Sequence, residues 1–185
     1  MKWVFSEKNA IVPIYEYSER WIMPIKGVQQ PDYIEVDEMI RLRKFDGHYE
    51  FAHKWYQDPE IVWLVDGDKE LYTDEIMEKM YRYLNETGEL YFIEVLSNGV
   101  YQPIGDVTFS REDMPIVIGD KHYWGKGIGT KVVKKLIERA RTLGYKEIEV
   151  EDIYNWNEAS QKLFTKLGFQ PNRKTAKGMS YKLIL

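Results

Sequence analysis

Tyr123-Trp124-Gly125-Lys126-Gly127-Ile128-Gly129-Thr130-Lys131 places three glycines at every second position. The stretch lies between a β-like run, Ile116-Val117-Ile118, and residues 131–143, whose spacing predicts a helix. A strand that ends in a Gly-rich loop and opens a helix offers unpaired backbone N–H groups at a positive helix end. That geometry binds phosphate. Two other phosphate motifs fit poorly. A dinucleotide fingerprint needs G-x-G-x-x-G in the first βα unit, but Thr130 stands where its third glycine belongs and the stretch begins two-thirds along the chain. A P-loop needs Gly-Lys-Ser/Thr at the helix start, and here Thr130 precedes Lys131. A tight turn without a ligand is the plain alternative.

A second element follows at a telling distance. Residues 146–152 read as a strand, with Ile148 and Val150 on one face and Glu147, Glu149 and Glu151 on the other. Then comes Asn155-Trp156-Asn157-Glu158-Ala159-Ser160-Gln161-Lys162-Leu163-Phe164-Thr165-Lys166-Leu167-Gly168-Phe169. An Asn caps a short amphipathic helix here, and Gly168 suits the left-handed position just past its end. In this order the two elements resemble the acyl-CoA loop and the closing Asn-x-x-Ser/Ala…Leu-Tyr-x-Lys-x-Gly-Phe segment of the GNAT superfamily of N-acetyltransferases. The resemblance covers about residues 39–185. It implies an α/β (α+β) fold, a mixed and strongly twisted sheet flanked by helices.

Earlier elements fit that order. Residues 39–45 alternate as a first strand, residues 49–63 are aromatic with helical spacing, and residues 74–84 carry an apolar stripe of Ile76, Met77, Met80, Tyr81 and Leu84. Residues 90–96 and 103–110 read as a hairpin joined at Ser97-Asn98-Gly99, and residues 179–185 as a final strand. Residues 1–38 fall outside the resemblance. Their strand-like pieces at 3–5, 11–17 and 20–25 predict an N-terminal hairpin or arm packed on the domain.

The resemblance assigns roles to particular residues. Acetyl-CoA is the implied cofactor. Ile116, Val117 and Ile118 would pair with the pantetheine amides through their backbone. N–H groups from Trp124, Gly125, Lys126, Gly127, Ile128, Gly129 and Thr130 would hold the pyrophosphate, with Lys126 or Lys131 near the nucleotide's phosphates. Asn157 would reach the pantetheine and Phe164 would line its thiol end. Two positions depart from the common pattern. Trp124 stands where Arg or Gln often begins the loop, as in branches resembling ribosomal-protein N-terminal and antibiotic acetyltransferases. Phe164 stands where many members carry a tyrosine that protonates the leaving thiolate, and phenylalanine donates no proton.

The implied chemistry is direct acetyl transfer to an amine, which must lose a proton before it attacks. Asp152, five residues before Asn157, and Asp106, in Pro103-Ile104-Gly105-Asp106-Val107, are the two candidate bases. Aminoglycoside 6′-N-acetyltransferases resemble this chain in the Asp152 offset and in the layout of Arg41-Leu42-Arg43 and the aromatic segment after it. Asp66, Asp68, Glu70, Asp74 and Glu75 form either an acidic rim for a polycationic amine or a solvated loop and a helix's first turn. A protein N-terminus or lysine is the alternative acceptor. A CoA-binding regulatory domain without turnover is the alternative of another class.

Composition bounds these readings. The 185 residues, 44% hydrophobic and without cysteine, suit one domain without disulfide or thiol chemistry. His48, His53 and His122 are too scattered for a metal site. No apolar run suits a membrane span or a leader, so a cytoplasmic monomer or homodimer is expected. Residues 120–185 hold 14 basic and 7 acidic residues, while residues 1–119 hold 12 and 23. A basic half around the Gly-rich loop suits a polyanionic cofactor, and an acidic half suits a cationic amine. The net charge of −4, with no basic stripe among aromatics, argues against nucleic acid.

Overall fold

Two sheets meet along one seam and part along it, and the parting makes the cleft. The structure, a computed structural model, describes residues 23–67 and 70–185. The expected strand pieces at 3–5 and 11–17, the first half of that at 20–25, and Asp68 lie outside the described residues. The larger sheet has the order β1 (Tyr33–Glu35), β2 (Ile40–Lys44), β3 (Glu89–Ser97), β4 (Val100–Phe109), β5 (Ile116–Ile118), all neighbours antiparallel. The smaller sheet sets β8 (Gly178–Ile184) between β6 (Glu147–Tyr154) and β7 (Gln170–Lys174), again antiparallel.

Between the sheets the contact is parallel in sense and brief. Glu149 N–H donates to Arg111 O and Glu151 N–H to Asp113 Oδ1, both at 2.9 Å, so both segments advance together. This is the mixed character the resemblance implies. Beyond Asp113, Pro115 has no N–H to extend the ladder, and β6 carries an irregularity between Val150 and Ile153. The strands separate there.

Helices cover both faces. Asp58 caps α2 (Pro59–Asp66) by accepting from Glu60 N–H, with Pro59 in the first turn, so the aromatic segment is broken. It comprises a 3-10 turn at Glu50–Ala52, the short α1 (His53–Tyr56) and α2. Thr73 caps α3 (Asp74–Thr87), whose Met77, Met80, Tyr81 and Leu84 are buried. On the opposite face α4 (Ile128–Thr142) buries Val132, Val133, Leu136, Ile137 and Ala140. Large aliphatic side chains buried this way contribute about 1.5–3 kcal/mol each. Central β3 serves both layers: Leu90 and Phe92 join the α1–α3 core, Tyr91, Ile93 and Val95 the α4 core.

Residues expected to lie before the domain contribute to this frame. β1 is the edge strand of the larger sheet, Gln30 Nε2 donates to Leu90 O at 2.9 Å, and Lys131 Nζ meets Asp37 at 2.7 Å. A buried ion pair ties α4 to β3: Arg139 donates to both carboxylate oxygens of the fully buried Glu89 at 2.5 Å, and Tyr91 Oη adds a third bond at 3.1 Å. Removing one partner of such a pair costs about 3–5 kcal/mol, because the other charge is left desolvated. Arg139→Met is therefore expected to lower the thermal midpoint by several degrees, and Arg139→Met with Glu89→Leu to recover much of it, as read by calorimetry.

Candidate active site

The cleft between β5 and β6 has a volume of about 590 Å³. Its first wall is the open edge of β5. Thr108 N–H donates to Pro115 O at 3.0 Å, so the alternating ladder turns residues 115 and 117 toward β4. Ile116 and Ile118 present their backbone groups to the cleft side. One of these is already used, because Trp124 Nε1 donates to Ile118 O at 2.6 Å and fixes the start of the Gly-rich loop. Lys121, just upstream, binds Asp58 at 2.6 Å and Glu60 at 2.7 Å and anchors the loop to α2.

The loop itself ends in the N-terminus of α4. Gly125 and Gly127 have φ of +71° and +75°, conformations other residues adopt with strain, and an added Cβ at either would meet nothing within 4 Å. Gly127 is the N-cap. The first bond of the helix is Lys131 N–H to Gly127 O, at 3.1 Å. The preceding N–H groups have no partner within the helix. Helices α2, α3 and α5 (Glu158–Lys166) each have a side-chain cap and an acidic residue in the first turn; α4 has neither. Its positive end is left open to the cleft.

The facing wall comes from β6 and α5. Asn157 uses both ends of its carboxamide: Oδ1 accepts from Ser160 N–H, and Nδ2 donates to Leu64 O, both at 3.1 Å. Trp156 Nε1 donates to Trp63 O at 3.1 Å, and Lys177 Nζ to Asp66 O at 3.3 Å. Three side chains of the second half thus bind the last carbonyls of α2 and hold it across one end of the cleft. Gly67 allows the approach: its φ is +66°, and an added Cβ would come within 2.3 Å of the Trp156 ring. Asp152 lines the cleft with one oxygen fixed, since Thr175 Oγ1 donates to its Oδ1 at 2.6 Å while accepting from Gly178 N–H at 2.9 Å. Phe164 lines it too, buried edge-on against Phe169 at 5.1 Å.

Of the residues singled out in the sequence, Ile116, Val117, Ile118, Trp124, Gly125, Gly127, Ile128, Gly129, Thr130, Asp152, Asn157 and Phe164 line this one cleft. Lys126 does not, and its Nζ lies 5.1 Å from the Tyr123 ring centre. Lys131 is committed to Asp37. Arg41 and Arg43 both bind Glu94, at 2.8 and 2.7 Å. Among the described residues of the acidic rim only Asp66 lines the cleft, its Oδ2 accepting from Tyr72 Oη; Glu70 is exposed, and Asp74 and Glu75 form the first turn of α3. Asp113, Ile153 and Tyr154 line the cleft but carry no sequence signal, and Tyr123, which opens the Gly-rich stretch, lines it without having been given a role.

Asp106 is placed elsewhere. It is buried beneath α1 and α3, where one oxygen, Oδ2, accepts from Tyr56 Oη at 3.0 Å and Tyr81 Oη at 2.9 Å. Burial pushes its carboxyl up to about 6, against the two hydrogen bonds that lower it. Asp113 is likewise pushed up to about 6, chiefly by its enclosure at the seam. A raised carboxylate binds its proton more tightly in the folded chain, so its favourable contribution at low pH is lost as pH rises from about 4 to about 6. Asp106→Asn, whose amide oxygen can still accept from both tyrosines, is expected to flatten that slope. Relative to the variant, the wild type should lose about 2–3 kcal/mol across the window, as urea titrations at stepped pH will read.

Among the described residues no group of three or more His, Asp or Glu side chains is placed to hold a metal, and no helix is long and apolar enough to cross a membrane.

Comparison with known proteins agrees with this geometry. The family described as the acetyltransferase (GNAT) domain matches residues 40–170. A domain from Methanocaldococcus jannaschii superposes with a TM-score of 0.71 at 25% identity, over 80% of this chain and all of that one. An aminoglycoside acetyltransferase solved with coenzyme A gives 0.63 at 19%, over 78% of this chain and 94% of its own. The Salmonella typhimurium enzyme that modifies the N-terminal serine of ribosomal protein L7/L12 gives 0.64 at 15%, over 83% and 99%. No curated protein matches in sequence.

Proposed function

The chain belongs to the GNAT family of acetyltransferases and uses acetyl-CoA, and from that premise we propose that it acetylates a primary amine of a small cationic molecule, with Asp152 as the base. One observation carries the reading: the open edge of β5, the uncapped end of α4 and the Asp152–Asn157 end of β6 face a single cleft. Acetyl-CoA supplies the activated acyl group as a thioester. The N–H groups from Gly125 through Thr130 hold its pyrophosphate, where fixed backbone dipoles are suited to an anion. Ile116 and Ile118 pair with the pantetheine along β5. Asn157 keeps its second amide hydrogen for the same chain while the first holds α2. Asp152, its other oxygen turned from Thr175, takes the amine's proton.

The acceptor end favours a small cation. Asp66 and Asp152 both line the cleft, and an ammonium beside carboxylates is stabilised in a site of low dielectric. Helix α2, held by Trp156, Asn157 and Lys177, lies across that end, which suits a small acceptor. Similarity in fold to an aminoglycoside acetyltransferase accords with this. The ribosomal-protein enzyme keeps a protein N-terminus as the second reading. On this proposal residues 39–185 are the catalytic unit and residues 1–38 an extension of it, in a cytoplasmic protein.

Thiol release from acetyl-CoA against aminoglycosides, polyamines and peptides with free N-termini tests the proposal. Turnover with the first two classes and not the third is expected. Turnover confined to peptides would replace the small-cation reading with the second one.

A further inference from the structure

We propose that Lys162 and Lys166 recognise the ribose 3′-phosphate of coenzyme A, so that this chain selects the phosphorylated cofactor over its 3′-dephospho form. This rests on the use of acetyl-CoA in the cleft and is independent of the acceptor. Ala159, Lys162, Leu163 and Lys166 all line the cleft, and their spacing of i, i+3, i+4 and i+7 makes them one face of α5. An amphipathic helix normally turns its lysines away from the face it packs. Here two lysines stand one turn apart on the face that meets the cleft, and both residues are exposed. That face borders the phosphate end. An added Cβ at Gly129, in the first turn of α4, would meet Leu163 Cδ1 at 3.0 Å, so α5 lies directly against the helix start whose N–H groups are open.

Coenzyme A carries two separate anionic groups. Its pyrophosphate suits the backbone N–H groups of the Gly-rich loop. Its 3′-phosphate is a terminal group with close to two negative charges at neutral pH, and the compact ammonium of a lysine suits it. The lysines of the loop and its flanks are not available for it. Lys121 binds Asp58 and Glu60, Lys131 binds Asp37, and Lys126 does not line the cleft. Among the described residues Lys162 and Lys166 are the lysines that do line it.

The two are not equivalent. Lys162 Nζ binds Glu158, one turn before it, at 2.8 Å, and part of its charge is neutralised there. Lys166 forms no ion pair among the described residues. A lysine in the last turn of a helix also suits the helix dipole. That preference is indifferent to the helix face, and Lys166 stands on the one facing the cleft.

Calorimetry with CoA and 3′-dephospho-CoA isolates the contact, because the two share the pyrophosphate and the pantetheine and neither needs an acceptor. Wild type should bind CoA about tenfold more tightly at low salt, and about 0.5 M salt should shrink that preference, since exposed charges are screened. Lys166→Met should cut the preference to about threefold, and Lys162→Met with Lys166→Met should bring it to parity, with the affinity for 3′-dephospho-CoA unchanged. Glu158→Gln frees Lys162 and should tighten CoA about twofold without affecting 3′-dephospho-CoA. All three side chains are exposed, so the thermal midpoints should barely move. Equal affinities of wild type for the two ligands, or a preference kept by the double lysine variant, overturns the proposal and leaves the use of acetyl-CoA intact. A double variant that weakens both ligands equally also overturns it, because the lysines would then serve the shared pyrophosphate.

Discussion

Gly127→Val is expected to weaken CoA binding at least 100-fold, measured by calorimetry, while the folded chain persists. Gly127 caps α4 at φ +75°, a conformation that costs an ordinary residue about 1–2 kcal/mol and a β-branched one more. The chain escapes that cost by rotating the loop, which turns the following N–H groups away from the place where a pyrophosphate would sit. Any side chain that stays put enters the open space over the helix end, where the structure leaves room for a ligand. Gly144→Val is the control. Gly144 has φ +76° and also meets nothing within 4 Å, but it follows α4 at its far end and does not line the cleft. It should lose a similar amount of stability and bind CoA normally. Equal affinities for the two variants would separate the loop from phosphate binding.

The loop was legible in the sequence because its chemistry is local: three alternating glycines and a helix start need no tertiary context. Asn157 was legible for the same reason, its capping role being fixed by Ser160 three residues on. The hairpin turn was legible from Asn98-Gly99, whose φ of 51° and 77° only such a pair adopts readily. Its second strand was read as starting at Pro103, and it starts at Val100, since proline breaks a strand pattern without ending the strand. β7 gave no signal: Gln170–Lys174 is exposed throughout and is a strand only because β8 offers its edge. Residues 49–63 were read as one helix because the aromatic spacing continues across Asp58-Pro59, where the chain restarts.

Long-range residues were the ones missed. Asp113 lies in a short link that looks like any turn, yet it accepts Glu151 N–H across 38 residues and sits where the two sheets part. Tyr154 becomes a cleft residue only because β6 is irregular after Val150, which leaves the adjacent Ile153 and Tyr154 both buried. Asp106 failed in the opposite direction. It was one of the two candidate bases, but its carboxylate is directed to Tyr56 and Tyr81 in the other core layer. Alternation along a strand tells which residues share a face. It does not tell which face is the site.

That distinction makes Asp152→Asn the sharper test of the chemistry. The substitution preserves the hydrogen bond from Thr175 Oγ1, because the amide oxygen accepts as the carboxylate does, and it removes only the basicity. General-base catalysis contributes about 10²–10⁴-fold, so kcat should fall at least 100-fold, with KM for acetyl-CoA moving less than threefold. Thr175→Val approaches the same carboxylate from behind. It deletes the hydroxyl that fixes Asp152 and is itself fixed by Gly178 N–H, so Asp152 keeps its charge and loses its aim. A loss of about 3- to 10-fold is expected there, since misplacement by a fraction of an ångström costs less than removal. The two effects should not multiply in the double variant, because the hydroxyl acts through the carboxylate. Full turnover in Asp152→Asn would remove Asp152 as the base. Multiplying losses would mean that Thr175 reaches the substrate by a route of its own.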